Sequence, residues 1–489
     1  MKLKRIIKTT TGTILALSAA LLLTRCNDIL ETEAYAKVTP DVYWTTADNV
    51  VSAVNAIYEP LLQENYFGHF ERTWDIQSDD MWRAGDHGED QSIEEFSYDA
   101  SNPKLIDTWK WRYEMISRAN AVLIHEPDIT IETNLKNRCL GEAYFLRGFS
   151  YWRHYLVHGE VPLILDEDVK AAPSALKINK PKATLEQVAA QIESDFKKAA
   201  ELLPKTYDAN NIGRVTQGTA YGFLCKFYMY TNELEKAIDA GVHITEDATY
   251  ALAPSFEDNF KIATENNSEM LFSQQFTDGW TGDDTPEIYT TPRPWGGWDF
   301  REPIQDLIDE FEDGDPRLGY TVFKPGDIVD LGGEDGPTEY TADLSSTGYH
   351  FRKFASWKAE GGLDPGQNAP ILRAADVYLL VAEAKIRLGQ DGDAELNAVR
   401  TRNGLDAKDN ATMADLMHER RVELAGENER HQDLMRWDKA GLIDIVALYN
   451  IEREHKDART FVRPKHYYFP IPQREIDLSN DVLKQNENY

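Results

Sequence analysis

The sequence of 489 residues has little cysteine and little positive charge. Its three cysteines, Cys26, Cys139 and Cys225, form no CxxC pair and no cysteine–histidine spacing that suits zinc. Lys and Arg number 52 against 83 Asp and Glu, which leaves a formal net charge of -31. Because so acidic a chain is repelled by phosphate backbones, we expect no nucleic-acid partner. We also expect no cofactor and no metal ion.

Long apolar runs are also missing. The apolar stretch at 14–23 follows a basic segment and is too short to span a bilayer, as in the hydrophobic region of a signal peptide. We therefore predict that residues 1–25 are a signal peptide and that Cys26, directly after it, is lipidated. Residues 26–46 are predicted to be the lipid anchor and an extended tether. Cys139 and Cys225 lie in apolar helical segments, which is typical of buried free thiols.

Catalytic motifs are absent as well: the sequence contains no GxSxG, HExxH, Walker or strand-linked GxGxxG pattern. Asp278, Asp283 and Asp284 lack the graded spacing of an EF-hand loop. Charged residues near the C-terminus recur at helical spacing, which favours structural ion pairs over the facing carboxylates of a glycosidase. They are Arg373, Asp376, Glu419, Arg420, Glu423, Glu427, Arg430, Asp433 and Arg436. We expect a protein that is not an enzyme.

Helical periodicity dominates the rest of the chain. The predicted helices cover residues 47–63, 106–123, 136–157, 184–203, 214–230, 234–243, 372–388, 393–402 and 413–427, followed by an irregular tail. Residues 250–366 are rich in Pro, Gly, Asp and aromatics and are predicted to form a loop-rich inserted lobe. Imperfectly repeated helical hairpins with small residues predict a mostly α fold, with tetratricopeptide-like units that form a superhelical scaffold.

A series of short motifs follows the whole chain in order. They are CNDILE at 26–31, YW at 43–44, NAIY at 55–58, RAN at 118–120, GEAYFLR at 141–147, GEVP at 159–162, FEDGDPR at 311–317, RAAD at 373–376, AEA at 382–384, LNAVR at 396–400, ERRVEL at 419–424, DLMRW at 433–437, FPIP at 469–472 and QN…Y at 485–489. In this series the chain resembles the SusD/RagB family of surface nutrient-binding lipoproteins. One departure is Arg25, where the family has a small residue before the lipidated cysteine.

The resemblance implies a single SusD-like helical domain over residues 47–489. It also implies lipid anchoring at the cell outer membrane, with exposure on the surface. The implied partner is a SusC-like TonB-dependent outer-membrane transporter, to which the protein would deliver its ligand. Family members bind glycans or, in some branches, peptides, and they are not enzymes.

Aromatic residues in polar loops are the candidate ligand-binding residues, because sugars stack their apolar C–H faces on aromatic rings. One cluster contains Trp82, Arg83 and Tyr98, and the other contains Trp280, Asp283, Asp284, Tyr289, Trp295 and Trp298. The rings would supply stacking, and the arginine and the aspartates would bind hydroxyl groups. Tryptophans near helices or in family motifs, at 74, 109, 111, 152 and 437, are predicted to be structural.

Each candidate ring could equally anchor its loop to the body. Three alternatives to an oligosaccharide-binding protein also remain open: an oligopeptide-binding member of the same family, a surface glycoside hydrolase, and a scaffold that holds the transporter without touching a ligand.

Overall fold

The computed structural model describes residues 44–68, 74–125, 129–172, 178–277 and 285–489. The predicted signal peptide, Cys26 and most of the tether lie outside these ranges, as do Trp280, Asp283 and Asp284. Among the described residues, no helix combines the length and the hydropathy that a bilayer crossing requires.

About half of the molecule is helical. In chain order the helices are α1 (Ala47–Tyr58), α2 (Gly88–Glu94), α3 (Pro103–His125), α4 (Thr133–Val157), α5 (Asp166–Ala171), α6 (Leu185–Leu202), α7 (Gln217–Tyr230), α8 (Leu234–Thr245), α9 (Pro286–Thr290), α10 (Gln305–Ile308), α11 (Arg317–Thr321), α12 (Ala374–Arg387), α13 (Asp393–Arg402), α14 (Met413–Glu423), α15 (Arg430–Lys439), α16 (Ile445–Tyr449) and α17 (Gln473–Leu478).

The long helices begin where capping residues satisfy their first backbone N–H groups. The Thr46 side chain accepts from the backbone N–H of Asn49 at the start of α1. Thr184 and Gln187 form the predicted capping box of α6. Several boundaries differ from the predicted ones; for example, α14 ends at Glu423 and not at residue 427. Helix α1 ends before Pro60 instead of continuing to residue 63, and α15 occupies a region that was predicted to be irregular.

Helices α3, α4, α6, α7, α8 and α12 pack as a series of neighbouring pairs, which confirms the mostly α scaffold. Glycines at the helix contacts allow this close approach. A Cβ atom on Gly141 would lie 2.8 Å from Cγ of Leu203, and one on Gly148 would lie 3.0 Å from Cβ of Asp195. Cys139 and Cys225 are buried free thiols between these helices, as predicted.

Short strands pair antiparallel in four two-stranded sheets among the described residues. The strands are β1 (Met81–Arg83), β2 (Met270–Gln274), β3 (Arg301–Pro303), β4 (Val322–Phe323), β5 (Ile328–Val329), β6 (Thr338–Glu339), β7 (His350–Phe351) and β8 (Ala369–Arg373). The pairs are β1–β3, β2–β8, β4–β7 and β5–β6. Each sheet joins segments that are distant in sequence or closes a local hairpin. Because a sheet of two short strands is not stable by itself, the shape of the segments that carry these strands depends on tertiary contacts.

The charged C-terminal motifs form buried ion pairs between elements rather than ladders along one helix. The Glu423 carboxylate accepts from Arg373 at 2.9 Å, from Arg402 at 2.6 Å and from Arg317 at 3.0 Å. All four side chains are at most 5% exposed. The structural role predicted for these residues is therefore confirmed, but the pairing along one helix was wrong except for contacts such as Asp433 with Arg436.

Candidate functional site

The pairing of β1 with β3 brings the segment that carries Trp82 and Arg83 against the segment that follows Trp298. Trp82 lies opposite Glu302, and the backbone N–H of Ala84 donates to the carbonyl of Phe300 at 3.0 Å. Because opposite residues of an antiparallel pair share a face, Trp82 and Glu302 lie on one face of this ribbon. Two loops separated by more than two hundred positions thus contribute to one surface.

Four half-buried ring side chains, Trp82, His87, Trp298 and Phe300, mark this surface, which we call the aromatic platform. The rings of Trp298 and Phe300 are 5.6 Å apart between centroids, and those of His87 and Phe300 are 4.7 Å apart with edge-to-face geometry. Because these rings keep part of their area in contact with solvent, the platform is a partly exposed aromatic surface and the candidate ligand-binding site.

Glycine at position 85 permits the close approach between the β1 loop and the platform. Gly85 has a positive φ of 81°, and a Cβ atom there would lie 3.0 Å from Cδ1 of the Phe300 ring. A side chain at this position would therefore be strained and would push against Phe300.

Two arginines border the platform. Arg83 donates to the carbonyl of Gly85 at 2.6 Å and lies 3.7 Å from the Glu94 carboxylate, so protein groups hold much of its guanidinium. Arg293 is exposed, and its Nε donates to the carbonyl of Trp298 at 3.2 Å. The exposed Arg293 is therefore better placed than the predicted Arg83 to bind hydroxyl groups.

Tyr98 and Tyr289 are corrections to the predicted site. Tyr289 is 0% exposed, since it packs against Trp298 at 5.4 Å and beneath Arg301. Tyr98 is 5% exposed and packs against Phe469, in the wall of a cavity of about 150 Å³ inside the helical body. Neither ring offers a face to a ligand on the platform.

Trp295 also serves mainly to anchor its loop. It is half-buried and packs against Phe323, Tyr340 and Trp357 with ring centroids 5.6 to 6.0 Å apart. Trp280, Asp283 and Asp284 stay predictions because they lie outside the described residues. Among the tryptophans that were predicted to be structural, those at 74, 109, 152 and 437 are buried.

Next to Trp298 and Phe300 in the chain, Asp299 forms a cluster with Glu302 and His350, whose potential ligand atoms are all within 4.8 Å of one another. Nε2 of His350 lies 2.8 Å from Oδ1 of Asp299, and its Nδ1 lies 2.7 Å from the Tyr340 hydroxyl. Glu302 is 0% exposed. A glycosidase needs two carboxyl groups that reach the scissile bond from open space, which a fully buried Glu302 does not provide.

The cluster shifts the pKa of each of its members. Burial, and next the charge of Asp299, raise the pKa of Glu302 to about 7. Burial raises the pKa of Asp299 to about 6, although Glu302 and Arg293 act in the opposite direction. Burial lowers the pKa of His350 to about 4, so the imidazole is neutral at physiological pH.

Sequence reasoning missed His87, Arg293, Phe300 and His350. The aromatic signal at position 300 was available, since Phe300 follows Trp298 within the same polar loop. No local spacing connects position 350 to 299 and 302, because β4–β7 pairing and the intervening loops bring His350 there.

Two protein-family models together match nearly the whole chain. Residues 28–229 match the family model described as "Starch-binding associating with outer membrane", and residues 250–489 match the model of the SusD family. The chain belongs to the SusD family. The resemblance inferred from the sequence motifs is thereby confirmed.

Relatives and solved structures agree with this assignment. A SusD-like protein of Formosa agariphila is 23% identical, over 94% of this chain and 95% of that protein. A SusD superfamily protein from Bacteroides vulgatus is 26% identical with a TM-score of 0.76, over 91% of this chain and all of that one. Surface glycan-binding protein A from Bacteroides thetaiotaomicron, solved in complex with laminarihexaose, is 22% identical with a TM-score of 0.74, over 91% of this chain and 100% of that one.

Proposed function

We propose that this SusD-family protein captures an oligosaccharide on the aromatic platform and delivers it to a SusC-like TonB-dependent transporter in the outer membrane. The observation that carries the proposal is that the β1–β3 pairing joins the segment of the half-buried Trp82 to the segment that directly follows the half-buried Trp298. The laminarihexaose complex of a structural neighbour supports a sugar as the ligand class.

The platform has the chemistry that sugar recognition requires. Trp298, Phe300 and Trp82 offer apolar ring faces, against which the C–H faces of pyranose rings can stack. Arg293 is exposed at the edge of the platform and can donate to hydroxyl groups. A few such contacts, after the cost of association, correspond to a Kd on the order of micromolar to millimolar.

Titration calorimetry with purified protein tests the proposal. The ligand panel consists of laminarihexaose, other β- and α-linked hexasaccharides, and oligopeptides. Trp298→Ala and Trp82→Ala each remove a stacking face and should weaken sugar binding about tenfold, which corresponds to about 1.4 kcal/mol. Trp111→Ala is the matched control, since Trp111 is also half-buried but lies on α3, away from the platform.

The outcomes separate the alternative functions. Equal loss of binding in the Trp111→Ala protein would point to a general structural effect and not to a site on the platform. Binding of peptides but not of any sugar would favour the oligopeptide-binding alternative. New reducing ends from polysaccharide would identify a glycoside hydrolase instead.

We further propose that Cys26 is lipidated after removal of residues 1–25 and anchors the protein at the outer membrane, exposed on the surface, with 47–489 as one domain. The family description, with its reference to the outer membrane, supports this location. Labelled palmitate should enter the wild-type protein but not a Cys26→Ser variant. The wild-type protein should also co-purify with a SusC-like transporter, and failure to do so in detergent would contradict the partnership.

A further inference from the structure

We propose that Asp299, Glu302 and His350 form a binding site for a divalent transition-metal cation of the zinc class. The three side chains offer one imidazole nitrogen and two carboxylate oxygens from within 4.8 Å of one another. Imidazole with carboxylates is a ligand set suited to zinc, whereas calcium prefers six to eight oxygen atoms. This site is independent of the proposed glycan-binding function.

Charge balance is the first argument for a cation. Asp299 and Glu302 are in contact, and no Lys or Arg nitrogen of the described residues lies within 4.0 Å of either carboxylate. Glu302 is fully buried, and its partners are the backbone N–H groups of Ser346 and Thr347, at 3.0 and 2.8 Å. A fully buried carboxylate that contacts a second, half-buried one is costly unless a positive charge or a shared proton balances the pair.

The surroundings of His350 supply the second, independent argument. Its Nδ1 lies 2.7 Å from the Tyr340 hydroxyl, and both side chains are 0% exposed. Metal-binding histidines almost always have such an outer hydrogen bond, which fixes the ring and its tautomer. With Nδ1–H donating to the Tyr340 oxygen, the lone pair of Nε2 points toward Asp299 and is free to bind a cation.

The free and bound states need only small changes. Without a cation, Nε2–H donates to Asp299 at 2.8 Å and Tyr340 donates to Nδ1. In the bound state the imidazole carries its proton on Nδ1, the Tyr340 oxygen accepts from it, and the Tyr340 hydroxyl turns to Ser345, which is within hydrogen-bonding reach. The two carboxyl groups must also rotate until the three ligand atoms lie at the bond length of about 2.0–2.2 Å that zinc requires.

A second histidine provides a matched control. His418 lies between two carboxylates, with Nδ1 2.9 Å from Glu310 and Nε2 3.3 Å from Glu312. These acids face opposite ring nitrogens, so they cannot share one cation with the imidazole. They also have arginine partners, since Arg421 pairs with Glu310 and Arg400 with Glu312. His418→Gln should therefore leave zinc binding unchanged.

The experiment is a titration of chelator-treated full-length protein with Zn²⁺ by calorimetry, together with the metal content after dialysis. Asp299→Asn is the main variant: it keeps the shape of the side chain, and asparagine tolerates the positive φ of 57° at this position. Zinc affinity should fall at least about tenfold in Asp299→Asn and in Glu302→Gln. Zn²⁺ should raise the Tm of the wild-type protein and not that of Asp299→Asn.

Two results would overturn the proposal. One is the absence of zinc binding by the folded wild-type protein, which would mean that a shared proton balances the two carboxylates. The other is unchanged zinc affinity in Asp299→Asn, which would place the metal at other histidines. Circular dichroism of each metal-free variant verifies that it is folded, so that a loss of binding is not a loss of structure.

Discussion

Glu423 and Glu302 are equally hidden from solvent, but their surroundings are opposite. Glu423 meets three arginines within 3.0 Å, and these in turn bind Glu269, Glu419 and Glu427. Glu302 meets Asp299 and two backbone N–H groups. Accordingly, the arginines hold the pKa of Glu423 below its usual range although burial acts in the opposite direction, whereas burial and Asp299 raise that of Glu302.

Buried charges have two different roles in this protein. In the network around Glu423, every charge is compensated by protein, and the network ties α13, α14 and β8 to one another. Such a network specifies one arrangement of elements and leaves no charge for a ligand. In the cluster at Glu302 the protein supplies too few positive charges, which is the condition under which a buried site can take up a cation.

The largest expected effect is the removal of the charge of Glu423. Glu423→Gln places an amide N–H₂ against guanidinium donors and leaves Arg373, Arg402 and Arg317 undercompensated. Breaking a buried ion pair from one side costs about 3–5 kcal/mol. Denaturant unfolding followed by circular dichroism should show a loss of this size in the free energy of unfolding.

The control for this prediction is an exposed pair of the same chemical type. Glu114 lies 2.9 Å from Arg118 on α3, and its side chain is 44% exposed. Glu114→Gln should change the free energy of unfolding by less than about 1 kcal/mol, because solvent screens exposed ion pairs. A similar loss in both variants would show that the network around Glu423 has no special role in stability.

A smaller loss of stability is expected when the pH is lowered. The pKa values of Glu423 and Glu427 are lower in the folded protein than their ordinary value of 4.5. The stabilisation from such groups is complete above the unfolded pKa and is lost as the pH falls toward the folded pKa. Stability should therefore decrease as the pH falls below about 4.5, by about 1.4 kcal/mol for each unit of pKa depression that is titrated.

The Glu423→Gln variant checks the origin of this acid sensitivity. It lacks one of the titrating groups, so its unfolding free energy should depend less steeply on pH below 4.5 than that of the wild-type protein. Parallel acid limbs in the two proteins would attribute the sensitivity to other carboxylates.

The sequence predicted the helical scaffold well because its signals are local. Capping residues such as Thr46 and Thr184, and apolar residues at helical spacing, act within a few turns of chain. The charged motifs were correctly interpreted as structural, but their partners were not predictable, because Arg317 reaches Glu423 from another element more than a hundred positions away.

The candidate site was predictable only in part for the same reason. Loop aromatics at 82 and 298 could be recognised by composition, but composition does not distinguish a ring on the surface from Tyr289, which lies beneath it. The difference is set by the pairing of β1 with β3, which tertiary packing determines. The cluster at Asp299 depends in addition on the loop that carries His350, so no motif predicts it.

The smallest expected effect completes the comparison. In metal-free protein, Asp299→Asn should change the free energy of unfolding by less than about 1 kcal/mol, in clear contrast to Glu423→Gln. The asparagine oxygen still accepts from Nε2 of His350, and its amide N–H₂ faces Glu302, so a hydrogen bond replaces the contact between two carboxyl groups. Thermal and denaturant unfolding with chelator present measure this change. A loss of several kcal/mol would mean that the charge of Asp299 is already compensated within the protein, so that the cluster has no excess negative charge to attract a cation.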